Sequence, residues 1–240
     1  MSQPFESAIS FQVATLKIVN ETGFGSGIIL DEDNGIIATC AHVVGNSKSG
    51  EVRSYLVPRP IQYEVIERGD EEENDVALLK ANLSQLRNGD FLSKFTKDVR
   101  IRSSAIGSGE AVMLCGYPDV LTDSSHPEEA NQLPVLTWGI TSTFPMSEEE
   151  QIIVSASILP GNSGGPCFDS AGYLLGLASA SSILGALEVI AEGRRFRRVI
   201  PATERTNDVK GIPPVSVIWA LTTVNPDAPT LIVTSGENPA

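Results

Sequence analysis

An all-β chain folded as two antiparallel barrels is what this sequence predicts, and three observations lead there. Short apolar runs recur at roughly even spacing: Phe24–Leu30, Ile36–Ala41, Val112–Pro118, Val135–Thr141 and Gln151–Ala156. Turn residues separate them, including the hairpin dipeptide Asn34-Gly35 inside the acidic stretch Asp31–Gly35. The chain has 240 residues, 41% of them hydrophobic. That is enough apolar material for two small barrels sharing a core interface.

Taken in order, Phe11–Val19 alternates loosely as a strand, turns at Asn20–Gly23 and re-enters a glycine-rich strand, Phe24-Gly25-Ser26-Gly27-Ile28-Ile29-Leu30. Residues 36–41 form a strand that delivers His42, and Ala41-His42-Val43-Val44 reads as a short helical turn. Val52–Glu67 is strand-like, with Pro58 and Pro60 marking an edge or a loop. Asp70-Glu71-Glu72-Glu73 reads as a solvated loop, with an acidic rim favouring basic substrates as the alternative. Ser84–Gly109 breaks the apolar pattern and connects two halves. The expected division is therefore 1–95, 96–224 and a tail or linker at 225–240. Residues 119–132 are expected in an exposed loop. From Ile183 to Arg198 the apolar positions Ile183, Leu187 and Ile190 have helical spacing. The basic run Arg194–Arg198 then reads as a helix end complementing the dipole, or as a docking surface for an acidic partner. A last strand or helix through Val215–Leu221 would close the second barrel.

Gly161-Asn162-Ser163-Gly164-Gly165-Pro166 is the stretch that carries chemistry. A nucleophilic serine must stand out of a tight turn whose N–H groups converge where negative charge develops on the attacked carbonyl. Upstream lie His42, at the end of a strand, and Asp75, at the mouth of the apolar run Val76-Ala77-Leu78-Leu79. The order His, Asp, Ser separates this chain from subtilisins and α/β-hydrolases. Thr39-Cys40-Ala41-His42, Asn74-Asp75-Val76-Ala77-Leu78 and the hexapeptide at 161–166 resemble the motifs of trypsin-like serine proteases, most closely the high-temperature-requirement (Deg-type) branch. The resemblance runs from about Thr15 to Ser182. It implies two six-stranded barrels of the chymotrypsin type, with the active site between them. It implies an endopeptidase in which Ser163 attacks, His42 is the base, Asp75 orients the imidazole, and the N–H groups of Gly161 and Ser163 form the oxyanion hole. It also places Ser157 at the base of the pocket for the residue before the scissile bond, with Ser179, Ala180 and Ser181 as its wall. An uncharged base there favours small to medium aliphatic residues.

Asn162 stands where digestive relatives carry an aspartate that pairs with a freshly cut N-terminus, so activation by propeptide removal is not expected. No PDZ-like segment is recognisable after the protease stretch, which leaves the substrate open. A catalytically weak peptide-binding scaffold is the competing reading, although all three chemical groups are present. The net charge of −13 speaks against a nucleic-acid partner. No apolar run approaches a membrane span, and no metal or cofactor is expected. Three cysteines without paired spacing suggest buried free thiols. With no leader recognisable at the start, a cytoplasmic location is the expectation. A regulatory partner, appended domain or self-association is expected to order the oxyanion loop through segments 119–132, 142–150 and 183–210.

Overall fold

The fold is that of a computed structural model, which describes residues 4–69, 75–87, 99–102, 107–119, 133–141, 151–156, 158–179, 184–191, 194–200 and 216–220; residues 4–7, 58, 151, 153 and everything from 184 onward are described by backbone alone. The opening segment departs from the strand expected over Phe11–Val19. Helix α1 (Pro4–Ala14) comes first, and strand β1 (Thr15–Asn20) begins only after it. One helical turn sets Phe11 and Ala14 on the same face, and both are buried. The Phe11 ring stacks on Phe168 with centroids 3.8 Å apart. The Thr15 hydroxyl donates to the Phe11 carbonyl at 2.6 Å and closes the helix end.

Strands β2 (Gly23–Asp31), β3 (Ile36–Thr39), β4 (Ser49–Ser54), β5 (Val57–Arg68) and β6 (Ala77–Ala81) join β1 in a closed barrel ordered β1-β2-β3-β6-β5-β4. Asn20 pairs with Gly23, so the first hairpin turns on two residues. The second does not use a two-residue Asn-Gly turn: Asp31 pairs with Ile36, and Gly35 closes a four-residue loop at φ 67°. Pro58 and Pro60 lie in the first part of β5, before its pairing with β6 begins at Tyr63. There a missing N–H costs no ladder bond on the β6 side. The acidic run at 70–73 lies outside the described residues.

The second sheet holds β7 (Arg100–Ile101), β8 (Ala111–Gly116), β9 (Val135–Ile140), β10 (Gln151–Val154), β11 (Pro166–Asp169), β12 (Tyr173–Ser179) and β15 (Ser216–Ala220). Its order is β10-β15-β12-β11-β8-β9, with β7 paired in parallel to β12. Among the described residues its two ends meet at a bridge between Thr141 and Val154, beside which the Ser155 N–H donates to the Ile140 carbonyl at 2.9 Å. Side-chain alternation splits the sheet between two cores. Val112, Leu114, Cys167, Leu175 and Ala178 pack with Ile152 and Val154 inside the second half, while Met113, Phe168, Leu174 and Leu177 join the core of the first barrel. A register shift between Cys167 and Phe168 accompanies the change of parity along β12.

Residues 183–198 are not helical where described. Strands β13 (Leu184–Ala191) and β14 (Arg194–Ile200) form an antiparallel hairpin, with Glu188 opposite Arg197 and Ile190 opposite Arg195. Three apolar positions could not outweigh the β-branched residues Val189, Ile190, Val199 and Ile200. The basic run therefore sits in a strand, and the helix-end explanation for it falls. The expected loops at 119–132 and 142–150, apart from Asp119, and the tail at 225–240 lie outside the described residues.

Candidate active site

His42 is the second residue of the short helix α2 (Ala41–Val44), which follows β3 directly. Asp75 enters just before β6, the strand hydrogen-bonded to β3, so the barrel's own ladder brings the two together. The Ala41 N–H donates to the Asp75 carbonyl at 3.1 Å, and the His42 N–H donates to Asp75 Oδ1 at 3.0 Å. His42 Nδ1 lies 2.7 Å from Asp75 Oδ2. The Asp75 side chain is only 4% exposed, against 33% for His42. Burial would raise the Asp75 pKa, but hydrogen bonds from the His42 ring and backbone, attraction to that ring and the Ser179 hydroxyl outweigh it and hold the carboxyl below its usual range.

The second sheet contributes a donor the sequence reading had placed elsewhere. Ser179 Oγ donates to Asp75 Oδ2 at 2.9 Å, so the hydroxyl assigned to a pocket wall is turned to the carboxylate. Cys40, two residues before His42, sends its thiol to the Ala178 carbonyl at 3.4 Å. Burial, with the Asp75 charge beside it, pushes that thiol pKa well up. Among the described residues, Cys40, His42 and Asp75 form a group whose ligand atoms lie within 4.8 Å of one another. The carboxylate and imidazole are already hydrogen-bonded to each other, and burial disfavours the ionised thiol beside them. The other two thiols, Cys115 and Cys167, are free and buried, and burial pushes Cys115 up to about 12.

Ser163 lies on the turn between Pro160 and β11, 5% exposed, with positive φ at Gly161 (91°) and Gly164 (81°). A Cβ on Gly164 would stand 2.2 Å from the Ser26 carbonyl and 2.3 Å from Thr39 Oγ1, so the serine turn rests on the strand that delivers His42. A Cβ on Gly25 would meet both Val43, next to His42, and the Ser163 carbonyl. Strand β2 thus packs against both the His42 and the Ser163 segments.

Each peptide plane of the serine turn is anchored. The Pro160 carbonyl accepts from the Asp119 N–H at 2.7 Å, and the Asn162 carbonyl from the Gly165 N–H at 2.9 Å. The Gly161 carbonyl accepts from Ser26 Oγ at 2.7 Å, and the Ser163 carbonyl from the Ser26 N–H at 2.7 Å. In a trans peptide the N–H points opposite the carbonyl. Anchoring the carbonyls of Pro160 and Asn162 therefore fixes the directions of the Gly161 and Ser163 N–H groups. Asn162 is buried, and its Oδ1 has no hydrogen-bond partner among the described residues. Ser157, Ala180 and Ser181 fall outside the described residues. A cavity of about 700 Å³, lined by Glu32, Ser49, Tyr63, Glu64 and Lys80 among others, includes none of the residues of this site.

A closed barrel beside a second, mainly antiparallel sheet, with a His–Asp pair on one and a glycine-flanked serine turn on the other, defines the class of chymotrypsin-type folds. The chain belongs to the trypsin-like peptidase domain family, whose model matches residues 25–177. It is 28% identical over 194 residues to the mitochondrial serine protease HTRA2 of Bos taurus, covering 78% of this chain and 38% of that one. It is 30% identical over 168 residues to serine protease HTRA4 of Homo sapiens, covering 65% and 30%. The chain thus spans about a third of the length of these curated relatives. Among solved structures, the fold is similar to the Rv3671c protease in its inactive form, with TM-score 0.58 and 16% identity, covering 90% of this chain and 88% of that one. It is also similar to the serine endoprotease from Yersinia pestis, with TM-score 0.57 and 21% identity, covering 75% and 58%.

Proposed function

We propose that this chain is a serine endopeptidase that works through a Ser163–His42–Asp75 triad and an acyl-enzyme. The observation that carries the reading is the 2.7 Å contact between His42 Nδ1 and a buried, thrice-bonded Asp75. With Nδ1–H given to Asp75, the other ring nitrogen is left to accept a proton. His42 takes the Ser163 proton as the hydroxyl attacks the scissile carbonyl, and returns it to the leaving amine. Asp75 holds the tautomer and offsets the charge of the imidazolium. The N–H groups of Gly161 and Ser163 stabilise the tetrahedral oxyanion. Water then repeats the cycle on the acyl-enzyme.

A fluorophosphonate probe tests this directly. Covalent labelling at Ser163 is expected, and Ser163→Ala and His42→Ala should each lower peptide turnover by about 10⁶-fold, with little further loss when combined. Unlabelled wild-type protein would leave a peptide-holding scaffold as the better reading.

The substrate preference we propose is for small to medium aliphatic side chains before the scissile bond, because no charge is expected at Ser157. A peptide-library profile dominated by Arg and Lys would refute it. We also propose that a partner, an appended domain or self-association raises activity by shifting a pre-existing equilibrium of the oxyanion loop toward its anchored form, a population shift limited by the partner's differential affinity. The anchoring of Pro160 by Asp119, at the start of the 119–132 segment, supports that route. Full turnover by isolated monomer, unchanged in its native assembly, would exclude it. A cytoplasmic location is proposed from three unpaired buried thiols, and fractionation of the native protein would decide it.

A further inference from the structure

The glycine-rich strand Gly25-Ser26-Gly27 belongs neither to the proposed triad nor to the lining of the cavity of about 700 Å³, yet Ser26 is fully buried and makes four hydrogen bonds with other segments. Its hydroxyl accepts from the Tyr117 N–H at 2.9 Å and donates to the Gly161 carbonyl at 2.7 Å. Its N–H donates to the Ser163 carbonyl at 2.7 Å, and its carbonyl accepts from Thr39 Oγ1 at 2.6 Å. One residue of the first barrel therefore grips two alternate peptide planes of the serine turn, those following Gly161 and Ser163. We propose that Ser26 is a positioning residue for oxyanion stabilisation, acting through the Gly161 carbonyl.

The physical reasoning turns on the hydroxyl being used as both donor and acceptor. The Gly161 carbonyl can be satisfied in this orientation because the Ser26 hydrogen points at it. The hydrogen points there because the oxygen's lone pair is engaged by the Tyr117 N–H. The chain Tyr117 N–H to Ser26 O–H to Gly161 carbonyl thus has one polarity. It ties the end of β8 to the serine turn through β2. Reversing the Gly161–Asn162 plane would leave the hydroxyl hydrogen of the fully buried Ser26 without its acceptor. The Gly161–Asn162 plane lies between the planes carrying the Gly161 and Ser163 N–H groups and shares a Cα with each, so holding it limits the ψ of Gly161 and the φ of Asn162 through which those two planes could swing apart. The surroundings leave no room for a larger side chain to take over. A Cβ on Gly116 would lie 3.0 Å from Ser26 Oγ, and one on Gly165 would lie 3.2 Å from Ser26 Cβ. Neither Ser26 nor its partners in this chain is His42 or Asp75, so the proton-transfer pair is untouched by it.

The inference rests on the serine-protease reading, and the test separates the two. Wild type, Ser26→Ala and Ser26→Cys are titrated with the fluorophosphonate probe, and limiting labelling rate and half-saturating concentration are measured across pH. The rates are expressed per folded molecule after thermal denaturation has set the folded fraction. Ser26→Ala is expected to lower the limiting rate by about 10²-fold, the scale of losing one oxyanion donor. Half-saturation and the midpoint of the pH profile should hold, because the entry groove and the His42–Asp75 pair are unchanged. Ser26→Cys, which keeps the shape but weakens both bonds, should fall between and serves if the alanine variant does not fold. A limiting rate within twofold of wild type per folded molecule in either folded variant overturns the proposal, as does a shifted pH midpoint that accounts for the whole loss. Failure of the wild type to label would instead remove the protease reading beneath it.

Discussion

At the scale of the single residue, Asp75 shows how a buried charge is kept. A carboxylate 4% exposed is costly unless every lone pair finds a donor. Here the donors come from the His42 ring, the His42 backbone and Ser179. Removing the last should weaken the carboxylate without deleting it. Ser179→Ala is expected to lower the probe-labelling rate by about 10-fold, the worth of one bond to a charged group. Asp75→Asn, which offers the wrong tautomer a partner, should cost about 10⁴-fold. Equal losses in the two variants, measured side by side, would show that Ser179 is not a mere supporting donor. Asn162 illustrates the opposite case. Its buried Oδ1 lacks a partner among the described residues.

At the scale of the element, the serine turn is possible only because two glycines accept left-handed backbone where no side chain fits. Gly164 has φ 81°, and a Cβ there would overlap the Ser26 carbonyl and Thr39 Oγ1. Gly164→Ala must push β2 and β3 away from the turn. We expect at least about 3 kcal/mol of lost stability by chemical denaturation, from strain and overpacking together. Labelling per folded molecule should fall as well. A variant as stable as wild type would mean that the turn has another conformation available. The β13–β14 hairpin makes a different point about elements. Its apolar spacing allowed a helix, and strand-favouring residues decided otherwise.

Across the whole molecule, the two halves share a core, and the second sheet is braced by a polar clasp of its own. The clasp is Arg102, whose guanidinium pairs with both oxygens of Glu110 and reaches Asp169 Oδ2 at 3.1 Å. It ties the segment after β7 to the entry of β8 and the end of β11. The Arg102 hydrogen bond, with help from the Gly107 N–H, holds the Glu110 carboxyl below its ordinary value. A folded-state pKa depressed in this way contributes stability above the unfolded value, about 4.3, and loses it as pH falls through the folded one. Glu110→Gln should therefore melt below wild type near neutrality, with the gap closing under about pH 4. A gap of constant size from pH 7 to pH 3 in thermal melts would assign the difference to something other than this charge.

The sequence by itself determined the all-β class, the order of the three chemical groups and the glycine turn that presents Ser163. Period-two alternation and turn chemistry are local properties, and so is the choice of glycine where φ is positive. It also marked Asp75 over its acidic neighbours, since only Asp75 adjoins an apolar run able to anchor it. Helix α1 escaped because Phe11 and Val13 fit a strand face as well as a helix face, and only stacking on Phe168 decides between them. The roles of Ser26 and Ser179 were decided by tertiary structure alone. Ser26 meets Gly161 across 135 positions of sequence, and Ser179 meets Asp75 across 104. Serine is equally at home in a solvated strand, so no local pattern distinguishes a buried one. Such bonds exist only once both sheets have formed and packed together, which makes them properties of the closed molecule.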